Sequence, residues 1–149
     1  MITSHQAALR YGNPNLENNM KSVSIRTVIQ RSHDLTMLNA HIPELIYMNV
    51  DLVAPLAAAL AEAQKTGVIG QIKTWDGCFN IRIKNHKAVG SYSLHSWGLA
   101  IDINAAWNRN GMPPTLSKEL VACFKDNGFE WGGDWKTPDG MHFELSKLP

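Results

Sequence analysis

His95 and Asp102 lie seven residues apart in Ser93-Leu-His95-Ser-Trp-Gly98-Leu-Ala-Ile-Asp102, and His142 follows forty residues later in Met141-His-Phe-Glu144. Two imidazoles and one carboxylate form a donor set that holds a catalytic zinc through three protein ligands and leaves a fourth position for water. Hydrolysing an amide at neutral pH requires a hydroxide, a charge sink for the tetrahedral oxyanion and an acid for the leaving amine. An ion in such a site supplies the first two, and a carboxylate within hydrogen-bond reach of the water supplies the third. Two carboxylates compete for that last role: Asp139 in the turn Pro138-Asp-Gly140, and Asp134 in Gly132-Gly-Asp134. The second reads as turn chemistry that shapes a rim.

Strands must position these groups. In Leu99-Ala-Ile101-Asp-Ile103-Asn the odd positions are large and apolar, so a strand that buries them projects Ala100, Asp102 and Asn104 from its other face. In Met141-His-Phe143-Glu-Leu145-Ser the same alternation buries Met141, Phe143 and Leu145 and turns out His142, Glu144 and Ser146. If the two strands are neighbours in one sheet, Asp102 and His142 meet without help from a loop. His95 closes the triangle from just before Trp97-Gly98, where glycine lets the chain turn into the strand. Glu144, on the same strand face as His142, reads as a partner that orients the ring through its other nitrogen.

The rest of the chain supplies the scaffold. Asp51 to Gly67 reads as the clearest helix, rich in alanine, with Leu52, Leu56 and Leu60 at four-residue spacing, Pro55 in its first turns and Gly67 as its stop. Thr115 to Asn127 reads as a second helix, capped by Ser117, with Leu120, Val121 and Phe124 as its apolar stripe. Short strands are expected over Val23–Ile29, Val68–Trp75 and Phe129–Trp131. Residues 76–90 read as a partly basic loop, and the first twenty residues as a largely irregular segment wrapping over the surface. Without a regular βαβ rhythm the class is α+β, a small antiparallel sheet flanked by helices with the metal site on the sheet face.

With 149 residues the chain fits a single domain over 1–149. A net charge of +1 with the signs interspersed gives no electrostatic footprint for nucleic acid or an anionic membrane. No signal-peptide pattern and no apolar run of membrane-spanning length is visible, so the expected site of synthesis and folding is the cytosol. Cys78 and Cys123 lack CxxC pairing and read as small buried hydrophobes; a Cys78/Cys123/His95/His142 structural zinc would leave Asp102 without a role. His5, His33, His41 and His86 repeat no ligand spacing, and Trp97, Trp107, Trp131 and Trp135 read as core.

The pattern Ser93-x-His95-x-x-Gly98-x-Ala100-x-Asp102, followed by Asp139-x-x-His142-Phe-Glu144, resembles the zinc-binding signature of the M15 peptidases. That family includes D-alanyl-D-alanine carboxypeptidases, D-Ala-D-Ala dipeptidases and phage endolysins that cut peptidoglycan stem peptides, and the resemblance runs from about Thr74 to Leu145. It implies a hedgehog/DD-peptidase-like fold, zinc on His95, Asp102 and His142, and Asp139 as catalytic base, where the dipeptidases commonly carry Glu. An arginine upstream of the first motif helps hold the reacting carbonyl in the family, and Arg82 is the candidate here; as a preorganised donor near the oxyanion it would contribute about 3 kcal/mol. The implied activity is hydrolysis of a stem-peptide bond, L-alanyl-D-glutamate by analogy with the endolysin branch. The expected protein is a monomeric endolysin that stays in the host cytoplasm until it is released to the wall. Alternatives are a D-Ala-D-Ala carboxypeptidase or dipeptidase, and a non-catalytic zinc-bearing module that binds wall peptides. Retention of Asp139 argues against the last, since a pure binder has no use for a carboxylate beside the reacting water.

Overall fold

Alanine and leucine dominate residues 50–65, and in the computed structural model, which describes residues 1–38, 40–84 and 91–149, they form the longest helix. In chain order the elements are α1 (Ser4–Tyr11), β1 (Met20–Val23), α2 (Ile25–His33), β2 (Ile46–Asn49), α3 (Val50–Lys65), β3 (Trp75–Gly77), β4 (Ala100–Ile103), α4 (Lys118–Lys125), β5 (Phe129–Trp131) and β6 (His142–Leu145). α3 starts where the Asn49 side chain accepts from the Asp51 amide, keeps Pro55 near its N-terminus, and buries Leu52, Leu56 and Leu60 completely. α4 is capped by the Ser117 hydroxyl, which accepts from the Leu120 amide. α4 falls within the span that spacing and caps predict, and α3 starts one residue before its expected span, at Val50.

Two antiparallel sheets result. β1 pairs with β2, and a four-stranded sheet runs in the order β3-β4-β6-β5. Its central strands are the two with period-two alternation, and their register sets Ala100 opposite Glu144, Ile101 opposite Phe143, and Asp102 opposite His142. Leu99, Ile101, Ile103 and Phe143 pack fully buried in the core, Phe143 stacking on Phe124 of α4 with ring centroids 4.3 Å apart. The α+β class and the small antiparallel sheet are as expected. Among the described residues no helix is long and apolar enough to cross a membrane.

Three expectations fail locally, each for a physical reason. The first twenty residues are not largely irregular: Thr3 and Gln6 form a reciprocal capping box for α1, and Ala7 and Tyr11, four apart, are buried beneath it. The expected strand over Val23–Ile29 is helix from Ile25, because Ser24 accepts from the Thr27 amide and Ile25 and Ile29 fall on one buried face. Val68–Trp75 is a 3-10 turn over Ile69–Gln71, which buries Ile69, followed by an irregular stretch through Ile72, with strand beginning only at Trp75. Residues 85–90, the end of the expected loop with His86, lie outside the described residues.

Candidate active site

The 3-10 turn over Leu94–Trp97 presents His95. Ser93 caps it by accepting from the His95 amide, and Gly98 closes it in the left-handed region at φ 65°. Gly98 has a second reason to be glycine: a Cβ there would come within 2.7 Å of the Asn49 amide nitrogen and 2.7 Å of the Met20 methyl. The turn is therefore seated on the small sheet. Asn49, fully buried, holds it there: its backbone N–H donates to the Gly98 carbonyl (3.1 Å) and its side-chain amide to the Trp97 carbonyl (3.0 Å).

Asp102 and His142 project from paired positions of β4 and β6, and His95 meets them. His95 Nε2 lies 3.2 Å from Asp102 Oδ1, His142 Nδ1 lies 3.2 Å from the same oxygen, and the two ring nitrogens are 3.1 Å apart. The outward nitrogens are both committed as donors. His95 Nδ1–H donates to the Cys78 carbonyl (2.6 Å), which can only accept, and His142 Nε2–H donates to the Glu144 carboxylate (2.8 Å). In the neutral rings the inward nitrogens consequently carry lone pairs. Two lone-pair nitrogens and a carboxylate oxygen thus face one another across a buried triangle. A proton can bridge one edge of it; a divalent cation relieves all three. For zinc bonds of ~2.0–2.1 Å a tetrahedral site has ligand edges of about 3.3–3.4 Å, close to those found. The donor set fits a metal ion, and of the described residues only these three form such a group.

The electrostatics follow from this crowding. Burial alone would raise Asp102, but hydrogen bonds from His142 and His95 hold it well below the usual carboxylate range. Burial alone would lower His142, but the Asp102 and Glu144 carboxylates outweigh it and push the ring up to about 9. Without a metal the cluster thus retains a proton at the position a cation would take. Burial, and then the Asp102 charge, pushes the Cys78 thiol up to about 12, so the neutral thiol packs as a hydrophobe while its carbonyl orients His95.

A cleft of about 470 Å³ opens over this cluster, with Asp139, Arg82, His142 and Glu144 in its wall. Asp139 is half-buried, its Oδ1 has no hydrogen-bond partner, and burial raises its carboxyl above the ordinary value. Its turn is pinned by Asp139 N–H to the Gly132 carbonyl (2.8 Å) and His142 N–H to the Asp139 carbonyl (3.1 Å); a Cβ on Gly132 would strike the Asp139 carbonyl. Gly132-Gly133 therefore shapes the turn that carries Asp139, while Asp134 faces away, exposed and paired with Lys125. Arg82 reaches the site too, with Nη2 3.8 Å from Asp102 Oδ2. The Ser96 hydroxyl holds its backbone, accepting from the Arg82 N–H and donating to the Arg82 carbonyl, both at 3.1 Å.

Arg82, Asp139 and His142 thus line one cleft, and His95 and Asp102 meet His142 beneath it. Cys123 does neither; it lies in α4, with its thiol donating to the Glu119 carbonyl. Trp135, expected in the core, is not there. It lines the cleft, its ring centroid 5.3 Å from that of His142, on a turn without any periodicity that could reveal it. Trp107 likewise departs from the core reading, being about half exposed.

An α+β domain with a buried His/Asp/His triangle under a cleft is the kind of site in which a metal ion can activate water. Comparison with known proteins gives that class a family. Residues 87–145 match the family model described as D-alanyl-D-alanine carboxypeptidase, one of the M15 peptidase models. The peptidoglycan L-alanyl-D-glutamate endopeptidase CwlK of Bacillus subtilis is 40% identical over 72 residues, which cover 39% of this chain and 42% of that protein. The match therefore spans less than half the length of that relative. Both findings show that this part of the chain is similar to M15 peptidases, an L-alanyl-D-glutamate endopeptidase among them.

Proposed function

We propose that this protein is a zinc-dependent peptidoglycan peptidase that hydrolyses the L-alanyl-D-glutamate bond of the stem peptide, acting as an endolysin. The observation that carries the reading is the triangle of lone-pair donors with 3.1–3.2 Å edges beneath a cleft whose wall also holds the Asp139 carboxylate. The choice of bond rests on the similarity to CwlK.

His95, Asp102 and His142 would hold the zinc, and Cys78 and Glu144 would keep the two rings aimed at it. When bound, the ion supplies Lewis acidity and brings the pKa of a water toward about 7. The Asp139 carboxylate, in the cleft wall, then takes the proton of the attacking water and delivers it to the leaving amine nitrogen; its raised pKa suits it to both transfers. Arg82 offers guanidinium N–H groups to the oxygen of the scissile carbonyl as charge develops there. Trp135 and Met141 line the cleft as its apolar surfaces and limit water around the reacting groups. The protein acts as a single-domain monomer, kept in the host cytoplasm until it reaches the wall.

The test is to incubate the protein with purified sacculi and identify the new amino terminus. Newly exposed D-glutamate is the expected product. Release of D-alanine instead would establish a carboxypeptidase, the reading favoured by the description of the matching family model.

A further inference from the structure

The cleft is asymmetric in charge. The carboxylates Asp139 and Glu144 stand with the metal donors, while on another part of its wall two cations come from one short segment, Arg82 and Lys84. Arg82 is drawn towards Asp102. Lys84 is not used by the chemistry above, yet it is held in place: its backbone N–H donates to the Ser91 carbonyl (2.7 Å), and Ile83 beside it bridges to Tyr92. Its side chain is half-buried, and its ammonium lies over the Trp135 ring, 5.7 Å from the centroid. An aromatic face is only a weak partner for an ammonium, so this one can turn its N–H groups to an anion entering the cleft. The same ring also neighbours His142, 5.3 Å away between centroids, so the ammonium and the reacting groups share one aromatic neighbour. Ser93, Asn110 and Thr137 add hydrogen-bonding groups to the same wall.

We infer that Lys84, seated on Trp135, forms a carboxylate-binding subsite that selects peptides carrying a free carboxylate within a residue or two of the scissile bond. The inference rests on the peptidase reading and refines it. In a stem peptide linked through the side-chain carboxyl of D-glutamate, the group of that chemistry is the free α-carboxylate of the D-glutamyl residue. Lys84 is a specificity residue, acting on the substrate's charge and not on the reacting atoms.

The experiment compares N-acetyl-L-alanyl-γ-D-glutamyl-L-lysine with the same peptide amidated at the glutamyl α-carboxylate, using wild type, Lys84→Met and Lys84→Arg. The zinc content of each is measured alongside. For wild type a preference in kcat/KM of about tenfold for the acid is expected, as for a charge-assisted hydrogen bond in a partly wet site, and it should appear in KM. Lys84→Met, which keeps the apolar stem over Trp135, should bring the ratio close to one with zinc retained, and Lys84→Arg should restore most of it. A wild type indifferent to amidation, or a Lys84→Met variant that keeps the preference, overturns the subsite while leaving the peptidase reading intact. A wild type that cleaves neither peptide nor sacculi overturns the peptidase reading and the subsite together.

Discussion

The N-terminal half, through α3 and the 3-10 turn after it, and the C-terminal half, from β3 onward, bury very different groups. Apart from Asn49, every buried polar side chain described lies beyond residue 90: Ser93, His95, Ser96, Asp102, Asn104, Asn108, His142 and Glu144. The N-terminal half buries Ile25, Ile29, Met48 and the leucines of α3. One half is an apolar platform whose stability comes from area removed from water. The other carries the cost of desolvating charge, which hydrogen bonds and a cation must offset. Variants should accordingly separate into those that change chemistry and those that change only stability.

The largest effects belong to the metal donors. His95→Ala, Asp102→Ala or His142→Ala should abolish stoichiometric zinc and lower hydrolysis by well over the ~100-fold typical of losing a mere supporting partner. Elemental analysis and peptide cleavage read both; full activity without metal would erase the distinction between the halves. Chelation of the wild type should likewise end hydrolysis and lower the melting temperature, with zinc restoring both, since an ion present at a thousand times its Kd stabilises by about 4 kcal/mol. Asp139→Ala should cost roughly 10²–10⁴ in kcat with zinc still bound. That split between metal content and rate marks a proton carrier and not a ligand.

The N-terminal half should answer in the other currency. Leu56→Ala in α3 empties a fully buried site and should destabilise by about 2–5 kcal/mol, seen as a lower denaturation midpoint, with the kcat of the folded protein unchanged. The smallest effect expected is from Ser117→Ala, in the C-terminal half but outside its site, which removes the cap of α4 for about 1 kcal/mol. A large fall in kcat from Leu56→Ala at a temperature where the protein is folded would mean the platform is not passive.

Legibility in the sequence divides differently. The pairing of Asp102 with His142 could be read in advance because both strands have the core behind them, so alternation reports which face each residue takes. α3 and α4 were equally open, since composition and caps agree. α2 was not, because Val23, Thr27, Val28 and Ile29 carry β propensity, and the Ile25/Ile29 spacing that opposes it spans only one turn. α1 was hidden by its length, two turns with only Ala7 and Tyr11 buried, although Thr3-x-x-Gln6 is a capping signal. Within the site, the donors and Asp139 were visible as types at fixed intervals. The Ser96 grip on Arg82 spans fourteen residues and leaves no local trace, and Trp135 sits where no period exists to betray its direction.

The close seat of Gly98 against Asn49 and Met20 reaches further than its own turn. With no room for even one methyl group between them, the loop bearing the first imidazole takes its position from the opposite end of the polypeptide. The stretch matched by the family model is therefore an incomplete tool: excised at residue 87, it would keep all three donors yet lose the anvil on which one of them is set.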